Sequence, residues 1–292
     1  MPDNFYSMEF LLYILSGASV GFIIGLTGVG GGALMTPLLL LFGFPTQVAI
    51  GTDLLYAAVT KSGGMVTHAR LGHVNWRIVR LLATGSIPAA LVTGWVLKNY
   101  FSDAEQYTSI LTTSLGFMLI LTASVLVLRP YIQKLHNKVP HEEGVLLNIS
   151  LKKTLTAIPF GVVLGVFVTL SSVGAGAIGT AVLMILFPAL AATRVVGSDI
   201  AHAVPLTLVG GLVHLGLGHV DFQLLAALLL GSLPAIHYGS KLASRLPNRV
   251  MHPLLALMLF LLGVRYAMFY VLKVQVAITL ALHPVLFNGA GD

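Results

Sequence analysis

Two aspartates, Asp53 in Gly51-Thr52-Asp53 and Asp199 in Gly197-Ser198-Asp199, are the only carboxylates inside the long apolar segments of this 292-residue chain. Asp3, Glu9, Asp103, Glu105, Glu142, Glu143, Asp221 and Asp292 all fall in loops or near segment ends. A carboxylate in a bilayer is costly, so its default chemistry is to relay or gate a proton or to pair with a cation. A structural alternative stands beside it. Each aspartate lies about five residues into its segment, where Thr52, Asp53, Ser198 or Asp199 could cap freed N–H groups.

Lys61 sits nearer the middle of the same segment as Asp53. It can meet an anionic substrate or Asp53, although eight residues of helix put the two roughly 12 Å apart along the axis. The alternative is snorkelling to the cytoplasmic interface. His202, His68 and His214 are the histidines expected to line a path, His202 as a candidate for proton coupling or gating, or else to pack with a hydrogen bond; His73 and His219 read as loop residues. No H-E-x-x-H spacing occurs, so no metal site and no cofactor is expected.

The candidate anion site comes from two glycine clusters. Thr27-Gly28-Val29-Gly30-Gly31-Gly32-Ala33 interrupts a stretch, 11–44, without Asp, Glu, Lys or Arg. As one helix it would reach ~50 Å, too long for a ~30 Å hydrocarbon core and too short for two full spans. Glycine is where such a helix breaks. Ser171-Ser172-Val173-Gly174-Ala175-Gly176-Ala177 interrupts the charge-free stretch 155–192 in the same way. Non-helical backbone at membrane depth survives only inside protein or beside water, so the two breaks imply a lined cavity. The helices that restart after Gly32 and Gly176 would aim N–H groups and about half a positive charge each at that cavity, suited to an oxyanion. Gly28, Gly30, Gly31, Gly32 and Ala33, with Ser172, Gly174, Gly176, Ala177 and Lys61, are therefore the expected substrate-binding residues. Close helix packing by small residues is the alternative reading of the glycines. Bulk at Gly31 or Gly176 should abolish binding, and bulk at Gly94, in an ordinary span, should not.

The chain that holds these residues is 57% hydrophobic and 9% charged with mean hydropathy +0.93. Soluble domains are about a quarter charged, so this is an all-α polytopic membrane protein; the alternation of a β-barrel is missing. The net charge of +6 is accounted for by loops rather than by nucleic acid, since no exposed basic domain exists. Cysteine is absent, which excludes thiolate chemistry and disulfides. The amino terminus lacks a basic n-region, so residue 11 onward should stay in the mature protein.

Ten apolar segments are expected, at 10–27, 32–43, 48–68, 77–98, 106–128, 154–171, 176–188, 194–214, 222–243 and 251–272. The second and seventh are short, so each should form a broken-helix hairpin with its predecessor. The two sets of five are copies. An offset of 144 matches Gly21 with Gly165, Gly30 with Gly174, Gly32 with Gly176 and Thr36 with Thr180. After a two-residue insertion, 146 matches Asp53 with Asp199, His68 with His214, Gly72-His73-Val74-Asn75 with Gly218-His219-Val220-Asp221, and Gly85-Ser86-Ile87-Pro88 with Gly231-Ser232-Leu233-Pro234. The domains expected are a first membrane repeat (8–128), a cytoplasmic linker (129–153), a second repeat (154–272) and a tail (273–292). Arg70, Arg77 and Arg80 follow the third segment, whereas its counterpart loop has no Lys or Arg, so the repeats should be inverted. Placing Arg70 inside puts twelve of sixteen basic residues in the cytoplasm and both termini outside.

The chain resembles the sulfite exporter TauE/SafE family, also called the four-toluene-sulfonate uptake permease family, over roughly 10–270. The likeness rests on G-x-x-x-G-L-T-G-V-G-G-G, from Gly21 to Gly32, followed by Gly51-Thr52-Asp53, with a weaker echo in the second copy, where Ser172 and Ala175 replace glycines. The resemblance implies a secondary carrier, not an enzyme, for sulfite, sulfonates or related sulfur-containing or organic anions. Inverted repeats with broken helices fit alternating access with a midplane site, here expected to be proton-coupled. An anion channel is the rival reading. An intramembrane aspartyl protease using Asp53 and Asp199 is disfavoured because the G-x-G-D signature is missing. The partners expected are a small anionic substrate, the bilayer of a prokaryotic plasma (inner) membrane and a homodimeric copy, with no nucleic acid.

Overall fold

In the computed structural model the described residues are 3–27, 32–101, 104–138, 151–243 and 253–268, and among them the regular secondary structure is all helix. The helices are α1 (Asp3–Thr27), α2 (Gly32–Leu41), α3 (Thr46–Arg70), α4 (Trp76–Tyr100), α5 (Ala104–His136), α6 (Leu151–Ser171), α7 (Ala177–Leu186), α8 (Ala192–Gly216), α9 (Phe222–Ala243) and α10 (Pro253–Met268). Among the described residues, five of these are long and apolar enough to cross a membrane: α1, α4, α5, α8 and α9. The helix of α3 is as long, but Asp53, Lys61, His68 and Arg70 make it less apolar. Residues 139–150 and the expected tail, 273–292, lie outside the description.

The second expected helix break is present between α6 and α7, and the first falls on residues 28–31, outside the described residues. The ten residues of α2 and of α7 each rise only about 15 Å, half the hydrocarbon thickness. Expectation and structure part at α5, which continues to His136 instead of ending at 128. Pro130 lies within it, but the apolar face of the helix runs on past the proline through Ile132. The start of the expected linker is thus helix.

The centre is an antiparallel pair. Gly51, near the start of α3, lies against His214 and the His219 backbone at the end of α8, and Gly197, near the start of α8, lies against His68 and His73 at the end of α3. The first half of α3 is buried continuously from Ala49 to Ala58. Outside this core stand two parallel pairs. In one, Gly17 and Gly21 of α1 face the backbone of Leu228 and Ser232 of α9; in the other, Gly161 and Gly165 of α6 face Leu82 and Ser86 of α4. Each glycine lets a backbone approach where a Cβ would collide, which is how helices gain van der Waals contact when lipid offers no hydrophobic drive. These contacts obey the 144 and 146 offsets of the sequence.

The turns repeat too. Gly72 and Gly218 both turn the chain with positive φ, at 69° and 78°. Asn75 then accepts from the N–H groups of Arg77 and Ile78, and Asp221 from that of Leu224, so matched residues cap α4 and α9.

Candidate functional site

A cavity of about 450 Å³ opens between α1, α3, α5, α7, α8 and α9. Apolar side chains such as Ile24, Val125, Leu126, Met184 and Ile200 make most of its wall. At its polar end the second helix break meets two charged side chains. Ala175, Gly176 and Ala177 line the cavity together with Thr180, Lys61 and Asp199, and Arg129 and His68 join them.

The break is held in a conformation that side chains resist. Gly174 and Gly176 have φ of 121° and 145°, and Ser172 has φ of 59°, uncommon for a residue with a Cβ. Gly176 is the N-cap of α7 and supplies no side-chain hydrogen bond, so the first N–H groups of that helix depend on something outside it. Lys61 Nζ donates to the Ala175 carbonyl at 2.7 Å, tying α3 of the first half to the break in the second. Lys61 also lies within electrostatic reach of Asp199 and Asp53.

Each aspartate anchors a short helix. Thr36 of α2 donates to Asp53 Oδ2 at 2.5 Å, and Thr180 of α7 donates to Asp199 Oδ2 at 2.9 Å. The remaining oxygens, Asp53 Oδ1 and Asp199 Oδ1, are buried without a hydrogen-bond partner among the described residues. Asp199 Oδ1 presses on Gly179, which leaves no room for a Cβ there. The aspartates therefore do not cap helices: the N-caps of α3 and α8 are Pro45 and Ala191, with no side-chain hydrogen bond. The hydroxyls preceding them do satisfy free N–H groups, but across the core, where Thr52 accepts from Asp221 N–H and Ser198 from Asn75 N–H.

Among the expected site residues, Lys61, Gly176, Ala177 and Asp199 converge on the cavity. Ser172 is buried with its hydroxyl beside the Asp53 carboxyl, linking the break of one half to the aspartate of the other. Gly174 shapes the break. Ala33 is buried in α2, of which Gly32 is the first residue, and Gly28, Gly30 and Gly31 lie outside the described residues. Asp53 is fully buried and does not line the cavity. Of the described histidines, only His68 lines it; His202 is buried with Nε2 2.8 Å from the Ser86 hydroxyl, and His214 is buried with Nε2 2.9 Å from the Thr169 carbonyl. Gly94 is no neutral position, because added bulk there strikes Val213 of α8.

Sequence reasoning missed Thr36, Thr180, Ser86 and Arg129. The threonines were already visible as repeat mates, and a hydroxyl that recurs with a membrane carboxylate was the available signal. Arg129 was hidden by the early end assigned to the fifth segment.

Helices of membrane-crossing length, a broken helix between α6 and α7 and a half-buried lysine at a cavity define the class: a polytopic helical membrane protein. The family model for Sulfite exporter TauE/SafE matches residues 13–266, and the chain belongs to that family of membrane transporters. It is 36% identical over 252 residues to "Probable membrane transporter protein YjnA" of Bacillus subtilis, covering 86% of this chain and 97% of the relative. It is 29% identical over 247 residues to "Probable membrane transporter protein YdhB" of the same species, covering 82% and 93%. A third relative, "Probable membrane transporter protein MJ0441" of Methanocaldococcus jannaschii, is 27% identical over 272 residues, covering 86% and 92%. No solved structure matches the chain.

Proposed function

We propose that this chain is a proton-coupled secondary carrier that moves a small organic or sulfur-containing anion, a sulfonate or carboxylate with an apolar body, by alternating access between two inverted repeats. The observation that carries the reading is the meeting of Lys61, the exposed start of α7 and Thr180 at the polar end of an otherwise apolar cavity. The helix start and the ammonium would hold the anionic group; the apolar wall would hold its body. At about 450 Å³ the space is on the scale of pockets for small organic molecules rather than for a bare oxyanion.

Inversion is supported by α3 and α8, which occupy matched places in the repeats and run antiparallel. The cavity lies toward the end where α3 and α5 finish and α8 begins, the end that carries Arg70, Arg129, Lys134 and Arg194. By the distribution of basic residues that end is cytoplasmic, so both termini face outward and the cavity faces inward. Asp199, with one bonded and one unpaired oxygen beside the cavity, is the residue placed to exchange a proton as the anion moves, and Asp53 is its counterpart in the other half.

Reconstituted vesicles test this. Uptake of a panel of sulfite, alkyl and aryl sulfonates and carboxylates, with and without a pH gradient, should show saturable flux that favours organic anions and is stimulated by counter-substrate. Unitary currents, or flux of sulfite alone, would overturn the reading.

A further inference from the structure

Matched positions in the two repeats differ in one respect: a hydrogen bond is made in one and not in the other. In the second half, His214 of α8 is fully buried and its Nε2 donates to the Thr169 carbonyl at 2.9 Å. Thr169 is the third residue from the end of α6, so its carbonyl belongs to the group a broken helix leaves without an internal partner. In the first half the matching residues are His68 of α3 and Gly25 of α1, again the third residue from a helix end. Both line the cavity. Nδ1 is buried and unpaired in each histidine, but among the described residues His68 makes no hydrogen bond through its ring.

The neighbours follow the same division. Gly210 of α8 looks onto Leu54 and Thr169, and Leu54 and Thr169 are fully buried. Its match, Gly64 of α3, has only Ile200 near it, and Ile200 faces the cavity. The helix α6 packs against α8, whereas α1, its match, makes no comparable packing with α3. The second half is thus a closed version of the arrangement that the first half holds open.

We propose that His214–Thr169 and His68–Gly25 are two mutually exclusive latches: the first shuts the outer face in this state, and the second shuts the inner face when the cavity opens outward. Closing the inner face brings the end of α1 onto α3, so that His68 Nε2 donates to the Gly25 carbonyl as His214 now does to Thr169. Each latch is one neutral N–H···O=C bond, worth roughly a three- to tenfold bias between states, which is enough to shift a balance that substrate can still reverse. The proposal rests on the carrier reading.

The absence of cysteine makes the test direct. Ala203→Cys reports on the inner cavity and its match, Ala57→Cys, on the outer; each is labelled with an impermeant maleimide in vesicles of known orientation. With both histidines intact and no substrate present, Ala203→Cys should react from the inner face and Ala57→Cys should stay protected from the outer, and substrate turnover should expose Ala57→Cys. His214→Phe, which keeps a ring but has no donor, should raise outer labelling of Ala57→Cys about three- to tenfold. His214→Gln, which keeps an N–H donor, should restore protection, and His68→Phe should shift labelling in the opposite sense. Unchanged labelling in a His214→Phe protein that remains monodisperse would overturn the latch, as would equal shifts in His214→Phe and His214→Gln. If His214→Phe does not fold, His214→Gln and His68→Phe decide: a His68→Phe shift toward the outward state overturns the proposal. Failure of the carrier reading looks different: Ala57→Cys would stay protected from outside in the intact chain even while substrate crosses the membrane.

Discussion

The α4/α6 pair and the α1/α9 pair are built from matching residues with matching glycine contacts, yet they stand differently against the central α3 and α8. The first packs closely on α8 through both of its helices; the second meets α3 through α9, and its α1 stands apart. A rigid unit joined to a core in two ways is what alternating access needs, because the pair can move without unpacking itself. Glycines that interlock α1 with α9 make that pair a single body, and the few contacts it makes with α3 are what a movement would have to exchange.

The largest effect expected from this difference lies at the aspartates. Asp199→Asn and Asp53→Asn should each abolish pH-gradient-driven accumulation while sparing substrate exchange, which needs no net proton movement. The two should separate by chemistry: a carbodiimide applied from the inner face should modify Asp199, which lines the cavity, and leave Asp53, which is sealed in the core. Equal modification of both would show that the two aspartates are equally accessible from the inner face. Full gradient-driven transport in both Asn variants would leave the aspartates as anchors for Thr36 and Thr180 alone.

A smaller effect is expected at the helix break of the second half, which lines the cavity. Gly176→Val places a β-branched residue at φ of 145° on the cavity wall, and loss of the helix-end site should weaken binding about 5–30-fold, with steric exclusion adding to it. Gly63→Val is the proper control, because nothing lies near a Cβ there. Isothermal binding measurements on monodisperse protein distinguish the two; equal affinity in both variants would return the glycines to a packing role.

Much of this architecture could be read from residues alone. The charge-free stretches, the short second and seventh segments and the recurring Gly-Thr/Ser-Asp triplets carry the helix order and the break before α7, because lipid leaves an apolar chain few alternatives to helix. Helix ends at the surface are less constrained, which is why α5 outran its expected boundary and carried Arg129 to the cavity. The state of each half was not legible. His68 and His214 are matched in sequence, and only the spatial arrangement of α1 and α6 decides that one ring lines a cavity and the other is sealed. Lys61 illustrates the same limit: its place in mid-segment was clear, but its bond to Ala175 joins residues 114 apart in the chain.

The smallest expected effect tests whether the closer packing of α4 on α8 has an energetic counterpart. His202 of α8 and Tyr56 of α3 are repeat mates, and so are their neighbours, Ser86 of α4 and Ser232 of α9. In the closely packed half, Ser86 and His202 Nε2 form a 2.8 Å hydrogen bond. In the other half the Tyr56 and Ser232 hydroxyls are buried near each other, but neither completes a hydrogen bond among the described residues. Ser86→Ala removes a formed bond and strands a buried ring nitrogen, so it should cost about 1–3 kcal/mol of stability. Ser232→Ala removes no formed bond in this state and should stay within about 0.5 kcal/mol. The midpoint of thermal unfolding in detergent reads the difference, at roughly 2–4 °C for each kcal/mol. If substrate or a variant drives the protein outward, the ranking should reverse, since α9 then approaches α3 as α4 now approaches α8. Equal costs in both states would mean that the two pairs bear on the core alike, and the motion between faces would have to be sought within α3 and α8 themselves.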